Sequence, residues 1–169
     1  MRVHIGTDHA GLDFSQHLQQ HLTDAGHEVV DHGPKSYDPL DDYPSFCINT
    51  ALAVVRDQAA GIQTLGVVFG GSGNGEQIAA NKVKGARAAL VWNHDTALLA
   101  RQHNDANLIA IGARQHSLEV ALALVDAFLA EPFSGEERHA RRIAQLAEFE
   151  STGKIAGHEI GRASCRERV

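Results

Sequence analysis

The chain has 169 residues, 43% of them hydrophobic, enough to bury a core without help from disulfides or metal. Its 15 basic and 21 acidic residues leave a formal charge of -6, which argues against nucleic acid and anionic membrane surfaces as partners. No apolar run approaches the ~20 residues of a membrane span, and Met1 to Ile5 reads as a strand rather than a signal peptide, so a cytoplasmic location is expected.

Arg2 to Thr7 is a short apolar run ending in Asp8-His9-Ala10-Gly11, and Leu12 to Ala25 then repeats at helical spacing until Gly26. His27 to Asp31 reads as a second strand. Gly33 to Pro39, with Asp41 and Asp42 behind it, reads as a surface loop before a helix from Tyr43 to Ala60. Thr64 to Phe69 is β-branched and apolar, and it runs through Gly70-Gly71-Ser72-Gly73-Asn74-Gly75 into a helix from Glu76 to Lys82. Two further strands, Ala86 to Trp92 and Asn107 to Ile111, flank a helix from Asp95 to Gln102, and another helix runs from Ser117 to Ala130. After Pro132, Gly135 to Glu150 forms a last helix with Ile143, Leu146, Ala147 and Phe149 on its apolar side.

Apolar strands alternating with helices predict a Rossmann-like three-layer α/β/α sandwich around a five-stranded parallel sheet, plus one extra C-terminal helix. One domain is expected over residues 1–152. Residues 153–169 lose all periodicity and read as a disordered or vector-derived tail.

The cysteines, Cys47 and Cys165, are far apart, and Cys47 reads as a small core residue. Eleven histidines form no tight metal motif; His17 and His21, four apart, lie on a face that reads as exposed. No metal and no cofactor are expected.

In an open parallel sheet, ligands bind beyond the carboxyl ends of the strands. Those positions hold Asp8, His9, the glycine loop, Glu76, Asn93, His94, Asp95, Gly112 and Arg114. The loop lacks the Gly-Lys-Ser/Thr of a nucleotide P-loop, and Glu76 stands where a dinucleotide fingerprint would end in glycine. Its glycines let main-chain N–H groups approach an anion or a developing oxyanion. A plainer reading is a strand-to-helix turn capped by Asn74 with Gln77 three residues on. Glu76 then starts a helix, where a carboxylate is either a dipole partner or, if burial raises its pKa, a base. Arg138, Arg141 and Arg142 share one side of the last helix, as a phosphate clamp or as a solvated face paired with nearby glutamates.

Together, Asp8-His9-Ala10-Gly11, the loop Gly70 to Glu76 with Ala79-Ala80-Asn81-Lys82, His103-Asn104 with Gly112-Ala113-Arg114, and Arg138 with Arg142 resemble the ribose-5-phosphate isomerase B family over residues 1 to about 150. Many members use a cysteine in this loop as the base; the chain is similar to a second branch with a glutamate at the loop's end. The resemblance implies metal-free interconversion of ribose 5-phosphate and ribulose 5-phosphate through a cis-enediolate. It makes Glu76 the proton acceptor and His103 the acid that opens the sugar ring. Ser72 and the backbone from Gly71 through Gly73 and Asn74 to Gly75 hold the enediolate oxygens. Asp8 and Asn104 contact the sugar, while His9, Arg114, Arg138 and Arg142 take the phosphate. A homodimer, or a dimer of dimers, with sites shared between subunits is implied. The alternatives are a six-carbon aldose 6-phosphate isomerase of allose or galactose type, and a noncatalytic phosphate- or nucleotide-binding module.

Overall fold

The computed structural model describes residues 1–161. Its strands are β1 (Arg2–Thr7), β2 (Glu28–Asp31), β3 (Thr64–Gly70), β4 (Ala88–Leu90) and β5 (Leu108–Gly112). Between and after them come helices α1 (Leu12–Asp24), α2 (Tyr43–Ala59), α3 (Asn74–Ala80), α4 (His94–Asn104), α5 (Leu118–Ala130) and α6 (Glu137–Thr152). All strand pairs are parallel, in the order β2-β1-β3-β5-β4. The expected α/β/α class and five parallel strands therefore stand.

Side chains alternate between the two faces of a strand, so one sheet needs two helical layers. On one face Val3, Ile5, Val67, Phe69, Ile109 and Ile111 pack against Leu18 and Leu22 of α1, Ala97 and Ala100 of α4, and Leu124 and Phe128 of α5. On the other, Val68, Leu108 and Ala110 meet Cys47, Ala51 and Val54 of α2 and Ala79 and Ala80 of α3. All seven residues of β3 are buried, as a central strand requires. Helix α2 rides close to the sheet because Gly66 has no side chain: a Cβ there would come within 2.8 Å of Val54.

The edge strands are shorter than their apolar runs. β4 pairs only with β5, and the Ala86 N–H leaves the ladder to close a turn on Val83 O. Cys47 is a buried core residue, as expected.

Two compact units result, Met1–Ser134 and the segment from Gly135 on. The second unit holds α6; past it, the Ala156 N–H donates to Glu148 Oε1 at 3.0 Å and Ile155 bridges His158. Of the tail expected over 153–169, residues 162–169, Cys165 included, lie outside the described residues.

Candidate active site

The strand order reverses between β1 and β3, the position in an open parallel sheet beyond whose carboxyl ends ligands bind. The register is level at that end: Thr7 faces Phe69, and Gly70 faces Gly112. Asp8 thus leaves β1 beside the start of the glycine loop, and Ala113 and Arg114 leave β5 on its other side. The Ala113 N–H donates to Gly70 O at 2.8 Å and the Arg114 N–H to Gly71 O at 3.1 Å, which ties the two loops together. A Cβ on Gly71 would lie 3.4 Å from Arg114 Nη1, so this guanidinium runs along the loop.

Gly73 caps α3 in the left-handed region at φ +81°. The expected cap by Asn74 is therefore corrected: Asn74 is the first helical residue, its side chain donates to Ser72 Oγ at 3.3 Å, and Gln77 reaches Ala88 O instead. Ser72 and Asn74 lie on the rim of a cavity of about 450 Å³ that Leu90, Trp92, Gly112 and His116 help to line.

Glu76, in the first turn of α3, folds back over Gly70, where any side chain would fill the space of its carboxyl group. It is 4% exposed, and its Oε2 is buried with no hydrogen-bond partner among the described residues. Burial pushes its pKa up; main-chain N–H groups of Glu76 and Gly73 pull it down, and the charge of Asp8 pushes it up again. Desolvation is the largest of these, so the carboxylate is a stronger base than a helix start by itself would allow. Cys47 shares this surrounding: burial, then Glu76 and Asp8, push its thiol up to about 12, which keeps it neutral.

Asp8 is buried and caps the 3-10 turn His9–Gly11, accepting from the Ala10 N–H at 2.9 Å. His9 Nδ1 lies 2.6 Å from Asp41 Oδ1. One donor atom each from Asp8, His9 and Asp41 falls within 4.8 Å of the others, as in a small cation site, but the His9–Asp41 pair is a hydrogen bond. His17 and His21 make no pair: His17 bonds Asp13 O at 2.8 Å and His21 bonds Asp126 at 2.8 Å. Asn93 caps α4 in a capping box with Thr96, which leaves Asp95 as the second residue of that helix.

Glu76, Ser72, Asp8, His9 and Arg114 are thus brought to one end of the sheet. His103 and Asn104 are not. They close α4, whose first residue follows the carboxyl end of β4 and whose last leads back to the start of β5. Eleven helical residues carry the chain ~16 Å in that direction, to the opposite end of the strands. Arg138 and Arg142 stand exposed on α6 in the second unit, where Arg138 Nε donates to Glu136 Oε2 at 2.8 Å.

The family model described as Ribose/Galactose Isomerase matches residues 3–146. The chain belongs to that family. Among its members, ribose-5-phosphate isomerase B of Mycobacterium tuberculosis (strain CDC 1551 / Oshkosh) is 55% identical over 152 residues, covering 90% of this chain and 91% of the relative. The Escherichia coli K12 protein of the same name is 37% identical over 149 residues, covering 88% and 96%. The crystal structure of ribose-5-phosphate isomerase B from Mycoplasma genitalium with bound ribulose-5-phosphate superposes with a TM-score of 0.83 at 38% identity, covering 89% of this chain and 97% of that one.

Two neighbours of the site escaped the sequence reading. Tyr43, the first residue of α2, lies over the glycine loop: a Cβ on Gly75 would meet its ring at 2.6 Å. Asp41 was legible only as part of an acidic surface loop. Neither carries a local signal, since both reach the site through the packing of the segment after β2.

Proposed function

We propose that the chain interconverts D-ribose 5-phosphate and D-ribulose 5-phosphate, with Glu76 as the base. The observation that carries this reading is the buried, partly unpartnered Glu76 carboxyl, with its pKa raised, at the end of the sheet that also holds Asp8, His9 and Arg114. It is supported by relatives named for that reaction, which align along nearly their whole length.

Glu76 takes the proton from C2 of the open-chain aldose, and the electron pair moves through C1–C2 onto O1. Main-chain N–H groups between Gly71 and Gly75, with the Ser72 hydroxyl, meet the enediolate oxygens where charge develops. The proton on O2 passes to O1, and Glu76 returns its proton to C1, leaving the carbonyl at C2. Asp8 and Asn104 hold sugar hydroxyls, His9, Arg114, Arg138 and Arg142 hold the phosphate, and His103 is the acid for ring opening.

His103 stands at the far end of its own sheet, so this reading requires a second subunit. We therefore place His103 and Asn104 in the partner's crevice, in a homodimer with shared sites or a dimer of such dimers. The same reading makes the enzyme cytoplasmic, metal-independent and part of the non-oxidative pentose phosphate branch.

The test is ketose formation from ribose 5-phosphate by EDTA-treated protein, with Glu76→Gln beside it. The variant is expected to bind substrate with KM within a few-fold of wild type while kcat falls about a thousandfold. Turnover requires ionised Glu76, so the acid limb of kcat should lie above the ordinary glutamate range, with activity lost as pH falls through it. Preference for allose or galactose 6-phosphate over ribose 5-phosphate in the same assay would move the substrate to six carbons. Unchanged ligand binding and no turnover by either protein would leave a binding module.

A further inference from the structure

We propose that Asp41 is a positioning residue that sets the His9 ring for the substrate's phosphate. This rests on the reading of His9 as a phosphate ligand. The two residues come from the loops after the neighbouring strands β2 and β1.

One carboxylate oxygen of Asp41 takes two bonds from the same residue. The His9 N–H donates to Oδ1 at 3.0 Å, and His9 Nδ1 lies 2.6 Å from that oxygen. An ionised carboxylate has no proton to give, so the hydrogen lies on Nδ1. Nε2 is then the ring atom left for a ligand, and two bonds to one oxygen hold both the backbone and the ring of His9. The Tyr37 ring stands edge-on to the imidazole, 6.0 Å away at 88°, and limits its swing from a second side. Asp8 does not do this work, because the bond its carboxylate makes at this turn goes to the Ala10 N–H.

Asp41 is itself held in place. Its N–H donates to Asp38 O at 3.2 Å, and the Asp38 carboxylate accepts from the Leu40 N–H at 3.0 Å, so a tight turn delivers Asp41 to the site. Its side chain is 11% exposed, so its charge is little screened by water. A lone carboxylate beside a phosphate site would repel the ligand. Paired with His9, it instead holds the Nδ1–H, and with phosphate bound the ring carries a second hydrogen, on Nε2, which it donates to a phosphate oxygen.

The experiment is a double-mutant cycle in the full-length enzyme, using Asp41→Ala, Asp41→Asn and His9→Ala, with ¹⁵N NMR of the imidazoles in the same proteins. Asp41→Ala should raise KM for ribose 5-phosphate about tenfold with kcat within about twofold, since a charge-assisted bond is lost and the chemistry is untouched. Asp41→Asn, which keeps an acceptor without its charge, should recover part of the loss. In the His9→Ala background the Asp41→Ala effect should vanish. An unchanged KM, or an equal effect with and without His9, overturns the proposal; the latter would mean that Asp41 only braces its loop.

The NMR arm needs no turnover. Wild-type His9 should carry a hydrogen on Nδ1 without ligand and on both ring nitrogens with inorganic phosphate bound, and the phosphate-induced shift of Nε2 should be absent in Asp41→Ala. A proton on Nε2 alone overturns the proposal. Inactive wild-type protein with the expected NMR behaviour would sink the isomerase reading and leave the positioning role intact.

Discussion

A carboxylate in the first turn of a helix is normally held ionised by the free N–H groups there, and Glu76 sits in such a turn with its pKa raised. Burial outweighs the helix because the side chain turns inward over Gly70 instead of outward to water. The sign of the linked stability follows. A carboxyl group whose folded pKa is raised favours folding below its unfolded pKa and loses that contribution as pH rises through the folded value. At neutral pH ionised Glu76 therefore costs stability, and Glu76→Gln should be more stable than wild type in urea denaturation. That gain should shrink on acidification; a gain that stays constant with pH would mean that ionisation is not its source. Gly70→Ala should be the converse: it displaces the carboxyl group, and kcat should fall at least about tenfold while the fold survives by circular dichroism.

At the scale of elements, a charge network centred on buried Asp57 and His4 joins β1 to α2. Asp57 of α2 accepts from Arg2 Nη1 at 2.6 Å and from Arg56, and its Oδ2 lies 3.0 Å from His4 Nε2. The Arg2 bond, then those of His4 and Arg56, hold its carboxyl well below the usual range against the opposing effect of burial. His4 is held below its ordinary value, first by burial. Both shifts act in one sense, since the unfolded chain takes up protons first and stability falls with pH. The Asp57 contribution is complete above the ordinary carboxylate range and is lost as pH falls through its depressed value. Asp57→Asn should destabilise the protein at pH 7 and flatten the acid side of its stability profile, as read by urea midpoints across pH. A variant with the wild-type acid slope would show that other carboxylates dominate it.

At the scale of the whole molecule, Glu76 and His103 lie at opposite ends of one sheet, so a shared site has a direct test. Glu76→Gln and His103→Ala, each inactive alone, should regain activity when mixed by unfolding and refolding together. Half of randomly assembled dimers are mixed, and each has one site free of both changes, so about a quarter of wild-type activity is expected. No recovery on mixing would mean that His103 acts in its own subunit or not at all.

The parts that the sequence by itself determined are those set by local chemistry: the alternation of strands and helices, the burial of both sheet faces, the loop that fits neither nucleotide motif, and the residues at strand ends. Even there, boundaries slipped where a neighbour decides the last bond, as at β4, and the cap of α3 passed from Asn74 to Gly73 because the chain must enter the helix from a left-handed residue. Only the tertiary structure decided the strand order that reverses between β1 and β3, the reach of Tyr43 and Asp41 to that end of the sheet, and the separation of His103 from Glu76. The basicity of Glu76 belongs with these. Helix position is written in the sequence around a residue, whereas desolvation comes from every segment packed on it, and here the second effect is the larger.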